Sequence, residues 1–511
     1  MWPGWPPKSS PEPKRGRLAL AFAGPYVITW ARILSLGASM RSILSGLGLA
    51  WSVSASLALA QAPPGPVPPS ADAAEARAIL KDLVETNTTH AHGSTAAAQA
   101  IRARLLAAGF PRADALFLAP DDKPAKGNLV VRYPGQGQGR PILFIGHLDV
   151  VEARPEDWSV DPFTLTEKDG FFYGRGAIDM KDGDAALTQA LMRLRREGFK
   201  PARDIIVAFT ADEEAGGDSN GPAWLLKNHR DLVDAQTVYN FDGGGGALEG
   251  GKRLFFEIGT SEKVYLTFTL EATGPGGHGS LPGPGNPIYI LADGLARIEA
   301  YDFPVILTDT TRASFKAFAA LEPGPGSADM LAVAGPVPDP AAAARLSRTA
   351  LGNAELRTTC VATLISGGHA ENALPQRARA TIQCRLMPSD TAANVQATLI
   401  RVLNDPRIAV TMDAPPITSP ESPPTAAVMG QVGGVVHSMW PGVPLVPTMA
   451  TGFSDDRQTR NAGMPSYDVS GVWMERGENR AHGRDERVGV RAFDESVEYT
   501  YRLLKALGDQ P

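Results

Sequence analysis

Strand-like apolar runs alternate with amphipathic stretches along most of the chain. Residues 73–108 are rich in Ala, Leu, Arg and Glu and predict helix, interrupted by an irregular patch at residues 86–93. Residues 128–133 and 141–145 predict strands. Residues 182–197 place Ala185, Leu187, Leu191 and Leu194 at apolar helical spacing. Residues 204–210 and 237–241 are short apolar runs that predict buried strands. Strands alternating with helices imply an α/β domain whose mostly parallel sheet is covered on both faces.

The texture changes near Ser261. Residues 263–272 alternate as a strand, and residues 356–365, 378–386 and 408–412 predict three more. Helical patterns cover residues 286–300 and 395–404, and the Gly- and Pro-rich stretch 323–340 predicts a loop. An antiparallel sheet with two helices is expected here, as an inserted α+β domain. After a Pro-rich punctuating segment at residues 415–424 the α/β texture resumes. The expected organisation is one α/β domain split into residues 73–260 and 415–511, with an α+β lid at residues 261–414.

Ahead of these lie Met40-Arg41, a small-residue apolar run to Ala60, and an Ala60-Gln61-Ala62 motif followed by prolines. This layout predicts a signal peptide over residues 40–62, with a membrane anchor as the alternative, and a Pro-rich linker over residues 63–72. Residues 1–39 fit poorly in front of such a signal and are expected to be a non-native upstream extension, with translation starting at Met40. The mature chain is thus expected to be periplasmic or secreted and free of the membrane. At 43% hydrophobic and 20% charged, with a formal charge of −6, the 511 residues read as globular and give no reason to expect nucleic-acid binding. Two cysteines exclude a Cys-based zinc site, so any metal would be held by His, Asp and Glu.

Five polar clusters stand out. The first is a strand running into His147-Leu-Asp149, where residues i and i+2 of an extended chain share a side, so that Asp149 can reach one imidazole nitrogen while the other faces a metal. Next comes Gly174-Arg-Gly-Ala-Ile-Asp179-Met-Lys, with a carboxylate between a Gly-rich turn and a helix. The third is Asp212-Glu213-Glu214, three acids at a strand end that repel one another unless solvated or beside a cation. Adjacent residues point differently, so one acid can ligate while its neighbour faces a bound water. Asp242 follows another strand, and His482 lies in a late polar loop. His147, Asp179, Glu214, Asp242 and His482 form the candidate metal set, of a donor type that suits Zn²⁺ and tolerates Co²⁺ or Mn²⁺.

This ordered series resembles the zinc peptidase and deacylase family of glutamate carboxypeptidase, carboxypeptidase S, aminoacylase, acetylornithine deacetylase and succinyl-diaminopimelate desuccinylase. The resemblance implies two zincs per chain. One would take His147 and Asp242, the other Glu214 and His482, with Asp179 bridging. Asp149 would orient His147, Glu213 would be the general base toward a zinc-activated water, and the Asp179–Met180 peptide would be cis. In the lid, Gly274-Pro-Gly-Gly-His278-Gly-Ser resembles the segment whose histidine stabilises the reacting oxygen, often across a homodimer formed through the lid. Asn372 and Arg385 match the residues that grip a substrate carboxylate; His369 carries no implied role. Residues 451–457 resemble the Gly-rich substrate loop that would supply Ser454 and Arg457, although Phe453 and Ser454 stand where relatives often have Gly and Thr. The implied activity is cleavage of a peptide bond beside a free C-terminal carboxylate, of carboxypeptidase or dipeptidase type, toward which the insertion at residues 303–340 tilts the reading. The alternatives are an N-acyl amino acid deacylase and a noncatalytic exported peptide-binding protein. Cys360 and Cys384 fall on predicted strands flanking the Asn372 loop, either as a cross-strand disulfide or as two buried thiols.

Overall fold

The computed structural model describes residues 64–510; the expected upstream extension and signal peptide lie outside them. Ile142–His147 and Ile205–Thr210 are buried along their whole length and pair in parallel, with Thr237–Asn240 parallel on the other side of the former. Their side chains alternate between two cores. Phe144, Val207, Phe209 and Tyr239 face one, while Leu143, Ile145, Ile206, Ala208 and Val238 face the other. Helices Ser70–Glu85, Lys181–Arg196 and Val490–Gly508 cover the first face, and Gly221–Asn228 contributes to the second. The continuous apolar runs of the sequence are thus strands buried on both sides.

Around this centre a ten-stranded mixed sheet runs in the order Ala115–Leu118, Asn128–Tyr133, Ile205–Thr210, Ile142–His147, Thr237–Asn240, Ser466–Asp468, Lys252–Glu262, Gly245–Glu249, Trp473–Glu475. Leu445–Ala450 adds to Lys252–Glu262 in parallel. Strands from both ends of the chain therefore build one sheet. A separate antiparallel sheet runs Thr359–Gly367, Arg377–Leu386, Val264–Thr273, Ile408–Met412. Helices Pro287–Glu299 and Ala392–Leu403 pack on it through Leu291 and Leu399, against Phe268 and Ile382. The expected fold class, a covered mixed sheet with an α+β insert, is the one observed. Cys360 and Cys384 face each other across neighbouring strands and form a disulfide.

Three local expectations change. The first helix begins at Ser70, inside the expected linker, where Asp72 sits in the first turn and pairs with Arg196 at 2.6 Å. The loop expected at residues 323–340 contains the helix Pro325–Val333, because Pro325 sits in the first turn, where a proline lacks no needed donor. It belongs to a group of four helices, Asp309–Leu321, Pro325–Val333, Pro340–Leu346 and Ala350–Leu356, with its own core of Phe315, Val333, Ala342 and Leu356. The group rests on the large sheet, with the Phe318 ring edge-on to Phe255 at 5.1 Å. The insert therefore holds six helices, two on its own sheet and four beside the other.

Candidate metal centre

The three central parallel strands end together: His147 is level with Thr210, and Ile145 with Asn240. Open α/β sheets bind ligands at the carboxyl ends of their strands, and the polar clusters converge there. His147 closes its strand. Glu213 and Glu214 follow Thr210 by a few residues, and Asp242 follows Asn240 by two. Asp179 lies in the turn before helix Lys181–Arg196, with a cis bond to Met180. His482 arrives from the C-terminal half.

Asp179 stands between the two imidazoles. One of its oxygens is 3.1 Å from His147 Nε2 and the other 3.0 Å from His482 Nε2. His482 Nε2 also lies 2.9 Å from Glu214, and His147 Nε2 3.5 Å from Asp242. Ligand atoms of His147, Asp179 and Glu214 lie within 4.8 Å of one another, as do those of His147, Glu213 and Asp242. The five candidate ligands are thus brought together, with Glu213 among them.

Three consecutive acids coexist because they diverge. Asp212 adopts a left-handed backbone, φ 54°, and its carboxylate leaves the cluster to accept from Lys126 Nζ at 2.6 Å. Glu213 and Glu214 turn inward, and Glu213 Oε1 has no hydrogen-bond partner among the described residues. Asp149 holds this turn: its carboxylate accepts from the backbone N–H groups of Glu213 and Glu214 at 3.0 and 3.1 Å. That corrects its expected role. The atom that takes His147 Nδ1 is the backbone carbonyl of Asp149, at 3.0 Å, whereas the nearest carboxylate oxygen is 3.8 Å away. The strand ends at His147, so the rule that i and i+2 share a side lapses there.

The electrostatics call for added positive charge. Burial pushes Asp242 up to about 7 and, with Asp242 beside it, Glu213 well above the carboxylate range. Hydrogen bonds to Asp179 and Glu214 raise His482 to about 10. For His147, burial opposes the charge, yet Asp242 and Asp179 overcome it and raise the group. Two imidazoles and three ligand carboxylates, with a fourth acid alongside, match the donor chemistry of a pair of divalent cations.

Two residues that pattern reading missed steady the centre. Glu486 is fully buried and accepts from the N–H groups of Ile178 and Asp179 at 3.1 and 3.2 Å, while its other oxygen closely pairs with Arg175. Arg175 also donates to the carbonyl of Gly483 at 3.1 Å. Arg175 lies inside the Gly174-Arg-Gly motif, and Glu486 follows His482 by four residues. The available signal was a charged pair flanking two ligands, one from each half of the chain.

The remaining site residues separate. Arg385 on the lid sheet faces Tyr265, its cross-strand neighbour, at 4.9 Å, and the Phe453 ring at 5.5 Å. The Arg457 guanidinium lies 4.0 Å from the same Phe453 ring. Arg385 Nη1 and Arg457 Nε are buried without hydrogen-bond partners among the described residues. Phe453, the departure from the resembling loop, therefore lies against two guanidinium groups, each with a donor to spare. Ser454 corrects an expectation, because its hydroxyl and N–H both donate to Glu262, at 3.2 and 2.6 Å, and so are spent inside the fold. His278 pairs with Ala373 in a two-residue strand, and Gly279 N donates to the Asn372 carbonyl at 2.7 Å. The structure thus brings His278 and Asn372 together on the exposed lid; among the described residues no hydrogen bond or ion pair joins either to the metal cluster.

Residues 143–506 match the model of Peptidase family M20/M25/M40. The human N-fatty-acyl-amino acid synthase/hydrolase PM20D1 is 28% identical over 376 residues, 72% of this chain and 74% of that protein. Probable carboxypeptidase S-like 2 of Dictyostelium discoideum is 28% identical over 399 residues, 74% of each. Among solved structures, the M20 family metallo-carboxypeptidase Sso-CP2 from Sulfolobus solfataricus superposes with a TM-score of 0.63 at 18% identity, over 85% of this chain and all of that one. The Bacillus subtilis YXEP protein, a dinuclear metal-binding peptidase of the M20 family, gives 0.55 at 12% identity, over 86% and 99%. With the family match spanning well over half of its length, this chain belongs to Peptidase family M20/M25/M40 and is a metal-dependent hydrolase.

Proposed function

We propose that the protein is an exported two-zinc hydrolase that cleaves an amide bond next to a free carboxylate, as a carboxypeptidase or dipeptidase does. The observation that carries this is Asp179, with one oxygen toward His147 and the other toward His482. His147 and Asp242 would hold one cation, Glu214 and His482 the other, with Asp179 shared. Bound there, the cations would supply Lewis acidity and a water acidified toward neutral pH.

The chain's own residues would do the rest. Glu213, with an unpartnered oxygen in the cluster, would accept the proton from the attacking water and return it to the leaving nitrogen. Arg385 and Arg457 each keep a buried N–H group without a partner among the described residues, and both guanidinium groups lie against the Phe453 ring, which supports binding of a substrate carboxylate. His278 would reach the developing oxyanion through lid movement or from a second chain. The lid edge strand Thr359–Gly367 leaves Val361, Leu364 and Ile365 more than half exposed, which supports pairing of two chains there. The Ala60-Gln61-Ala62 motif and the Cys360–Cys384 disulfide support export to an oxidising compartment. Among the described residues no helix is long and apolar enough to cross a membrane.

A second reading, deacylation of an N-acyl amino acid, uses the same chemistry and is favoured by a large apolar cavity that adjoins the centre. The test is metal analysis with turnover on dipeptides and N-acyl amino acids, with and without chelator. About two zincs and chelator-sensitive release are expected. Glu213→Ala should keep the metal and lose about 10²–10⁴-fold in kcat; an active variant would remove Glu213 from its role.

A further inference from the structure

The cavity over the metal centre does not end there. About 470 Å³ in volume, it is lined by Asp179, Asp242 and residues 243–246, and it shares Ala247, Glu257 and Arg476 with a second cavity of about 690 Å³. The four glycines after Asp242 keep the connecting wall free of side chains. Gly244 and Gly245 have φ of 77° and 99°, and a Cβ at Gly246 would run into the Trp473 ring. The second chamber lies between the large sheet and the four-helix group. Phe255 and Met449 form its sheet side, and Phe315, Phe318, Met330 and Leu351 its helical side. Arg476 clasps the two sides, its guanidinium 5.2 Å from the Phe255 ring and 2.7 Å from Glu322.

We propose that this chamber is an acyl-chain pocket, receiving the long hydrocarbon tail of an N-acyl amino acid whose amide lies over the metal centre. The proposal rests on the amide-hydrolase reading above and specifies its substrate. Neither Arg385 nor Arg457 lines either cavity, so the carboxylate end and the acyl end of a substrate have separate places. Together the two cavities, about 470 and 690 Å³, offer room for a substituent longer than one amino-acid side chain. A peptide continuing inward would carry N–H and C=O groups that need partners along mostly apolar walls, whereas a hydrocarbon needs none. Three carboxyls, Glu257, Glu322 and Glu355, also line the chamber, and Glu322 is paired with Arg476. Burial, together with Glu257, raises Glu355 to about 7, and burial raises Glu257 despite Arg476, so both carry less charge than exposed acids would. Apolar walls that release water to a hydrocarbon supply the binding energy.

The test uses the zinc-loaded full chain and N-acetyl, N-octanoyl, N-dodecanoyl and N-hexadecanoyl forms of one amino acid. The value of kcat/KM should rise by about fourfold per added methylene until the chamber fills. Met330→Trp, which fills the chamber, and Ala247→Leu, which narrows its entrance, should each lower the dodecanoyl-to-acetyl ratio at least tenfold, with calorimetric binding of dodecanoate weakened in parallel. Thermal unfolding identifies a variant that has lost its fold, leaving the other to decide. Turnover with a flat chain-length profile would overturn the acyl pocket and leave the hydrolase reading standing. A dipeptide with N-terminal Lys preferred over the dodecanoyl substrate would overturn it too, because the carboxyls would then be reading a cation. If no amide is cleaved by the metal-loaded protein, the hydrolase reading fails; dodecanoate binding weakened by Met330→Trp would still uphold the chamber, and no binding would overturn it.

Discussion

Glu486 should matter to the metal centre although it is too occupied to ligate. Both of its oxygens are engaged, one by the N–H groups of Ile178 and Asp179 and the other by Arg175. Glu486→Ala strands the Arg175 guanidinium, only 3% exposed, and orphans two backbone donors. Breaking a buried ion pair costs about 3–5 kcal/mol, and each unpaired buried donor about 1–3 kcal/mol more. Water entering the vacated space offsets part of this, so a loss of about 4 kcal/mol is expected in urea unfolding of the metal-free chain. Glu486→Gln keeps an acceptor for the two N–H groups. Burial already pushes the Glu486 carboxyl up to about 7 against the pull of Arg175, so the neutral amide should cost less, about 1–2 kcal/mol. Because the pair fixes the backbone of Asp179 and of the loop beside His482, zinc affinity in a chelator competition should fall about 10–100-fold in the Ala variant. An Ala variant within about 1 kcal/mol of wild type, with unaltered zinc affinity, would refute the reasoning.

Two further outcomes follow from the lid and its junction. Replacing Cys360 and Cys384 together by Ser opens a loop of sequence separation 24 and should cost about 3 kcal/mol by the chain-entropy account, read as a lower unfolding midpoint that reductant no longer shifts. Lys263 is fully buried, and burial, with Arg385 nearby, lowers it to about 7. Between pH 7 and about 10.4 the unfolded chain then binds the proton that the folded chain lacks, so this group makes stability rise with pH across that window. Lys263→Met should remove that rise from the difference between the two proteins' unfolding curves; parallel curves would show that Lys263 stays charged.

The sheet was legible because its central strands are buried on both faces and so appear as unbroken apolar runs. The candidate ligands stood out as acids and histidines at or beyond predicted strand ends, and the structure brings them together. Contacts between distant segments were not legible. Ser454 is engaged by Glu262, 192 positions away, and no local pattern announces that. Asp149 misled because side-chain alternation was carried one step past the end of its strand. The four-helix group was obscured by Gly and Pro that delimit short helices rather than break them, as Pro325 and Pro340 do. Phe453 was read as a departure from a glycine-rich loop. Only its position in the fold shows the ring lying against the guanidinium groups of both Arg385 and Arg457.

The acids of this centre differ less in kind than in what their oxygens already hold. Asp149 is taken by two N–H groups, Glu486 by two more and an arginine, and Asp455 by the Thr210 hydroxyl and the Asn220 amide at 3.1 and 2.6 Å. Such carboxylates shape the backbone from which the ligands project. Asp179, Glu214 and Asp242 meet imidazoles, and Glu213 leaves one oxygen unmet. In the metal-free chain this inward group is the unfavourable one, since burial raises Asp242 and Glu213 and each adds to the repulsion felt by its neighbours. The outward group offsets it by tying the same loops down with hydrogen bonds that need no metal. The division explains why acids that touch no ligand atom should still govern how tightly the cations are held.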